Sequence, residues 1–311
     1  MVEVKVVESY KDYGKCLSIA NGVIEAYVTV DLGPRIIKFG YVGGNNFMND
    51  NRSLFPPKPF EKSYMDLFGE GKTWENFGGH RIWVSPESYP ETYLPDDTAV
   101  DYEITENGVI LKPLADTPVG IKKTMELKMD NYDANMQVIM RVENVSDKDK
   151  EFAIWALSVC SQDGTLIVPT NTNDTGLLSN RKYIVWPYTD MTDDRIYWGT
   201  RYVTVRQDKE IDPPAKLGFD LNCGTAYYVL GDDILYKRYN TNHPDGVYPD
   251  GGASFETYVC GAMIEFETLG ELKNVAPGEV SEHIENWSLT KKPCEVDFKN
   301  DESIDNLLSK I

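Results

Sequence analysis

Residues 261–289, GAMIEFETLGELKNVAPGEVSEHIENWSL, decide how this chain is read. Side chains of a strand alternate between its two faces, so Met263, Glu265 and Glu267 share one side while Ala262, Ile264 and Phe266 share the other. The second set suits packed core. The first presents two carboxylates at most ~7 Å apart, from the rise per residue. Like charges that close raise the pKa of at least one of them. A solvated strand face tolerates such a pair, and a proton-transfer site makes use of it.

Outward from this stretch, the same period of two runs through most of the chain. In GVIEAYVTVDLG, Ile24, Ala26, Val28, Val30 and Leu32 face one way and Glu25, Tyr27, Thr29 and Asp31 the other; ANMQVIMRVENVS repeats the scheme with Met136, Val138, Met140 and Val142. Asn21-Gly22, Asn107-Gly108 and Gly231-Asp232-Asp233 separate such runs and suit hairpin turns. EFAIWALSVC is apolar on both faces, as a central strand would be. Helical spacing is nearly confined to NDESIDNLLSKI, where Ile304, Leu307, Leu308 and Ile311 share a face and Asn300 or Asp301 is the N-cap. The expected fold is all-β, a single domain of antiparallel sheets over residues 1–311 with a short C-terminal helix. Residues 53–77, SLFPPKPFEKSYMDLFGEGKTWENF, break the rhythm and read as a long ordered loop rich in aromatics.

Composition narrows the partners. Against 31 Lys and Arg stand 50 Asp and Glu, a net charge of −19. Nucleic acid and anionic membrane both call for a positive field, so neither is an expected partner. The 19 Tyr and six Trp favour a small neutral ligand such as a carbohydrate, because aromatic faces stack on the C–H faces of sugars. Five scattered cysteines without a CxxC pair read as reduced, mostly buried thiols. The N-terminus shows no apolar signal core and no run approaches a membrane span, so a cytoplasmic location is expected.

Metal and cofactor motifs are missing: no HExxH, no paired His at ligand spacing, no phosphate-binding glycine loop and no G-x-S-x-G elbow. No metal and no cofactor are expected. TDMTDDR lacks the spacing and glycine of an EF-hand. Of three histidines, His80 follows Gly78-Gly79 and is bracketed by Arg81, Trp83 and Glu87; His243 lies in a Pro/Asp/Gly loop and His283 beside Glu282 in the last strand. Acids, arginines, a histidine after a glycine pair and many aromatics on a β scaffold suit proton transfer at a hydroxyl.

These pieces resemble the galactose mutarotase-like (aldose 1-epimerase-like) superfamily. IEFETLGELKNVAPGEVSEHIENWSL is similar to its C-terminal signature, with Glu267-Thr268 ending one strand and Pro277-Gly278-Glu279 launching the last. NGVIEAYVTVDLGPRIIKFGYVGGNNFM looks like its opening, and FGGHRIWVSPE like the glycine loop of its active site. The order GPRI, GGHR-W-PE, WPYTD, YPDGG-E-Y and EFETLG looks nearer to a bacterial side branch than to the mutarotases proper. The resemblance implies a β-supersandwich with a cleft across one sheet. It also implies interconversion of sugar anomers, in which a glutamate takes the anomeric proton and an acid, usually histidine, protonates the ring oxygen. Glu267 matches the base, with Glu265 as its tuner, and His80 is the candidate acid. Arg35, Arg81, Trp83, Glu87, Asp250, Glu256 and Glu265 are the candidate sugar-binding residues.

The chain departs from that pattern at the acid. WALSVCSQDGTLIVPT, where the family places a second histidine, has none, and none occurs between His80 and His243. His80, Arg81 or Asp163 would have to take the role. The alternatives are a sugar-binding domain that has lost catalysis, or an epimerase of acidic or phosphorylated sugars bound through Arg35 and Arg81. Lyase or hydrolase chemistry on an oligosaccharide is a third.

Overall fold

In the computed structural model, which describes residues 1–57, 61–113 and 117–311, the alternating runs build two antiparallel sheets, of eleven and ten strands among the described residues. The expected all-β architecture is present. Strand Ile264–Leu269 lies deep within the larger sheet, between Lys150–Cys160 and Phe255–Val259. Gly79–Ser85 continues the sheet beyond Lys150–Cys160, and Ala215–Phe219 continues it beyond Phe255–Val259. The smaller sheet centres on Asp233–Tyr239, Val280–Lys291 and Asn135–Asn144.

The core lies between the sheets, and alternation decides what enters it. Ile24, Ala26 and Val28 meet Met136, Val138, Met140 and Val142 there, all fully or almost fully buried. Ile264 and Phe266 point into this core, which leaves Glu265 and Glu267 on the opposite face. Lys150–Cys160 is buried on both faces from Phe152 onward, as its composition implied.

Some local expectations shift. The first two hairpin turns fall at Gly22-Val23 and Glu106-Asn107, one residue away from the quoted pairs, while Gly231-Asp232 turns as expected. The segment 53–77 is not simply loop: Lys62–Phe68 forms a helix, and residues 58–60 lie outside the described residues. No disulfide joins the five cysteines, but only Cys16 and Cys160 are buried, and Cys223 is exposed. The C-terminal helix Asp301–Leu308 is capped by Asn300, whose Oδ1 accepts from the Glu302 and Ser303 amides. Its Ile304 and Leu307 pack on Ile167, Val229 and Ile234 of the smaller sheet. Among the described residues no helix is long and apolar enough to cross a membrane.

Behind the strand that carries the acid pair, the core holds a buried polar network. Lys237 pairs with Glu285 at 3.2 Å, both without exposed side-chain surface, and also donates to Ser158 Oγ at 2.8 Å. Thr268 Oγ1 and Trp287 Nε1 donate to the two oxygens of Glu285 at 2.7 and 2.6 Å. His80 Nδ1 meets Ser158 Oγ at 2.8 Å, and His283 Nε2 meets Thr268 Oγ1 at 2.7 Å. Ser158 and Thr268 belong to the larger sheet, Lys237, His283, Glu285 and Trp287 to the smaller, so the network fixes one sheet against the other.

Burial pushes His80 down to about 3 and His283 down to about 4, so both are neutral at pH 7. The unfolded chain binds these protons near the ordinary value of 6.5, well before the folded chain does. Stability is therefore full above about pH 6.5 and falls as pH drops toward about 3. Chemical denaturation at a series of pH values checks this; a flat profile between pH 6.5 and 4 would contradict it.

Candidate active site

Local sequence explains how the GGHR segment reaches its place. Gly78 and Gly79 have φ of +74° and +64°, and a Cβ on them would sit 2.3 Å from Asn49 O and 2.4 Å from Ile36 O. Only glycine fits so tight an approach in that conformation. The chain then enters strand Gly79–Ser85, where His80 opposes Ser158 and Arg81 opposes Leu157. Alternation sends the two side chains to opposite faces of the sheet. Arg81 lines a cleft of about 730 Å³. His80 does not: its fully buried ring packs edge-on against Trp287 in the inter-sheet core. A neutral imidazole on the far side of the sheet cannot donate a proton in the cleft at pH 7, which corrects the expectation for His80.

Five strands run beneath the cleft, and one row across them reads Arg81, Leu157, Glu267, Glu256 and Gly218; of these Arg81 and Leu157 line the cleft, while Glu267 and Glu256 lie buried beneath it. Of the expected sugar-binding residues, Arg81, Trp83, Glu87, Asp250 and Glu265 line the cleft. Arg81 Nη2 donates to Glu265 Oε1 at 3.1 Å, and its guanidinium stacks over Trp83 at 4.4 Å. Its Nε and Nη1 are buried without a partner, as is Trp83 Nε1. Glu87 accepts from the Tyr93 hydroxyl, and Asp250 from Ser85 Oγ at 3.0 Å. Arg35 is not brought to this cleft. It is buried beside Asp96 at 3.6 Å, donates to Gly78 O at 3.3 Å and lies over Phe77, supporting the glycine turn from behind. Neither Asp163 nor His243 lines the cleft either; His243 bonds Ser254 Oγ at 2.9 Å and stacks on Tyr248.

Glu256 and Glu267 face each other across paired strands, both fully buried. The residue that organises them is Lys216, which the sequence reading did not single out. Its Nζ lies 2.8 Å from Glu256 Oε2 and 3.7 Å from Glu267 Oε2. Its ammonium is also held between the rings of Trp155 and Trp186, at 4.4 and 4.6 Å. Lys216 lines the cleft, so it stands between the two acids and solvent. Trp155 Nε1 donates to Glu267 Oε2 at 2.8 Å, while Glu267 Oε1 has no partner.

Burial pushes Glu267 up to about 7; Lys216 and the Trp155 hydrogen bond pull it down, and the Glu265 carboxylate adds to the rise. Burial also raises Glu256, further than the nearby ammonium can offset, with Glu267 adding to the rise. For Lys216, burial works against the charge, but Glu267 and Glu256 outweigh it and hold the ammonium above its ordinary value. The cluster is thus a lysine held charged, a Glu256 raised by burial and a Glu267 poised to titrate near neutrality, a tuned carboxyl of the kind that acid and base chemistry uses. Lys216→Met removes the cation that lowers Glu267, so the Glu267 titration should move above about 7. Carboxyl-carbon NMR reads this directly, and an unmoved titration would show that Lys216 does not tune it.

Aromatic residues form the walls. Trp74, Trp83 and Tyr93 pack against one another with ring centroids 5.1–5.8 Å apart. Tyr89 extends that wall through Tyr93, and Trp186, Tyr188 and Tyr258 complete the lining. Trp74 and Asn76 come from the segment 53–77, which reads in the sequence as an ordered loop.

No family profile matches the chain, and no curated protein does. Solved structures do. A TPR-domain-containing protein from Parabacteroides distasonis superposes on 90% of the chain with a TM-score of 0.57 at 14% identity; the chain spans about half of it, 48%. A galactose mutarotase-like protein from Lactobacillus casei matches at TM-score 0.51 and 12% identity, over 88% of this chain and 100% of that one. A galactose mutarotase-related enzyme from Lactobacillus acidophilus matches at 0.50 and 10%, over 91% and 99%. With its two antiparallel sheets and short terminal helix, this chain has the galactose mutarotase-like fold.

Proposed function

We propose that the cleft binds a carbohydrate and that Glu267 acts there as general base in the interconversion of its anomers. One observation carries the reading: an aromatic-walled cleft of about 730 Å³ lies over a glutamate pushed up to about 7 that keeps one oxygen unpartnered. A base of that strength is half ionised near neutrality, where proton transfer is most effective. It takes the proton of the anomeric hydroxyl, the bond from the anomeric carbon to the ring oxygen breaks, and the ring oxygen leaves with the electron pair. Lys216 replaces the missing histidine. An ammonium held above its ordinary pKa is a poor proton donor but a good counter-charge for the developing alkoxide. The hydroxyl and the ring oxygen hang from the same carbon, which suits a base and a cation 3.7 Å apart. After rotation of the aldehyde the ring recloses and the proton returns.

A second reading, a binding cleft without catalysis, has its own observation. Glu256 and Glu267 have no exposed surface, so contact with a sugar requires Lys216 to move aside. Polarimetry of freshly dissolved reducing sugars separates the two. Accelerated approach to the anomeric equilibrium supports the isomerase; binding without acceleration supports the second reading; no binding by any sugar tested overturns both.

A further inference from the structure

We infer that the ligand is an oligosaccharide of at least two rings, with its reducing-end ring over Glu267 and the next ring against Arg81 and Trp83. This rests on reading the cleft as a carbohydrate site and adds the size of the ligand.

Three observations carry it. The first is volume. Granting each of a hexose's twelve non-hydrogen atoms a whole water's share of liquid, about 30 Å³, one ring takes at most about 360 Å³. The cleft offers about 730 Å³, twice that.

The second is width. Arg81 and Glu267 lie in one row, two strand spacings apart, which is about 10 Å. The lining continues two more spacings to the strand of Lys216, for a total of about 19 Å, more than one pyranose spans.

The third is the distribution of unsatisfied groups and aromatic faces. The buried Nε and Nη1 of Arg81 and the Nε1 of Trp83 lack partners on one strand, and Glu267 Oε1 lacks one two strands away. These are two separated sets of hydrogen-bonding groups, one for each ring. A single sugar has two faces and can be sandwiched by two aromatic side chains. Here Trp74, Trp83, Tyr89 and Tyr93 form one cluster of rings about the strand of Arg81, and Trp186 lies over Lys216 at the other end of the lining. A monosaccharide at either end would leave the aromatic rings at the other end bare.

The test is calorimetric titration with glucose, galactose, glucuronic acid and galacturonic acid, each beside its homologous di- and trisaccharide. At least one disaccharide should bind tenfold or more tightly than its monomer. Tyr89 is 41% exposed, so Tyr89→Ala leaves packing largely intact. It should weaken disaccharide binding by up to about tenfold, the worth of one aromatic contact, and monosaccharide binding distinctly less. A monomer that binds as tightly as its dimer and trimer would overturn the inference and leave the carbohydrate reading standing. Equal losses for monomer and dimer in the Tyr89 variant would overturn the placement of the second ring. Absence of binding by all twelve sugars would remove the carbohydrate reading itself.

Discussion

Glu267→Gln is expected to lower catalysed anomerisation by about 10²- to 10⁴-fold, the usual worth of a positioned general base. The amide has the shape of the acid, and its oxygen can still accept from Trp155 Nε1, so the floor stays in place. What it loses is the ability to take a proton. In the unaltered protein the rate should rise as pH passes through about 7, because the base works only when ionised, and fall away below that. In the variant this inflection should vanish with the rate. Anomer exchange by NMR measures both. Glu265→Gln is the informative partner: its amide oxygen can still accept from Arg81, but it removes a charge that raises Glu267, so it should shift the inflection down without abolishing activity. If the losses were reversed, large for Glu265 and small for Glu267, the base would be the cleft-lining carboxylate instead.

Glu285→Ala should cost about 3–5 kcal/mol of folding stability, because it leaves the Lys237 ammonium buried without a counter-charge. Burial by itself would raise Glu285, yet Lys237, the two neighbouring imidazoles and the Thr268 hydroxyl outweigh it and hold the carboxylate below its ordinary range. Trp287 and Thr268 lose an acceptor in the same step. Replacing both charges, as in Lys237→Met with Glu285→Leu, should recover more than half of the loss, since an apolar pair of similar volume leaves no uncompensated charge. Urea denaturation gives these values. A single-variant loss below about 1 kcal/mol would mean that water reaches the network. The network matters for the cleft because it grips Ser158 and Thr268 from behind, on strands whose opposite faces carry Leu157 and Glu267.

What could be read in the sequence follows from what alternation encodes. Period two assigned Ile264 and Phe266 to the core and Glu265 and Glu267 to the other face, and the sheet obeys it because only one face meets a second sheet. The same rule, applied to GGHR, separates His80 from Arg81; the glycine pair and the flanking charges suggested a shared site, but neighbouring strand residues cannot share a face. Lys216 was invisible for a different reason. In a five-residue strand of small and apolar neighbours, a lysine signals nothing until Phe255–Val259 brings Glu256 beside it and Ile264–Leu269 brings Glu267. Trp155 hid inside a run that is apolar on both faces, where the alternation that sets it toward the cleft leaves no mark in hydropathy. Arg35 kept company with GPRI in the linear order, yet its partners Asp96 and Gly78 hold it behind the turn.

The role of Glu267 is tested most directly by a crystal structure of the protein soaked with the reducing sugar it binds best. A ring is expected in the cleft, with its anomeric hydroxyl within about 3.2 Å of the Glu267 carboxylate and the Lys216 ammonium displaced to face the ring oxygen. A sugar ordered elsewhere on the molecule, with the cleft over Glu265 and Glu267 left empty, would contradict that role.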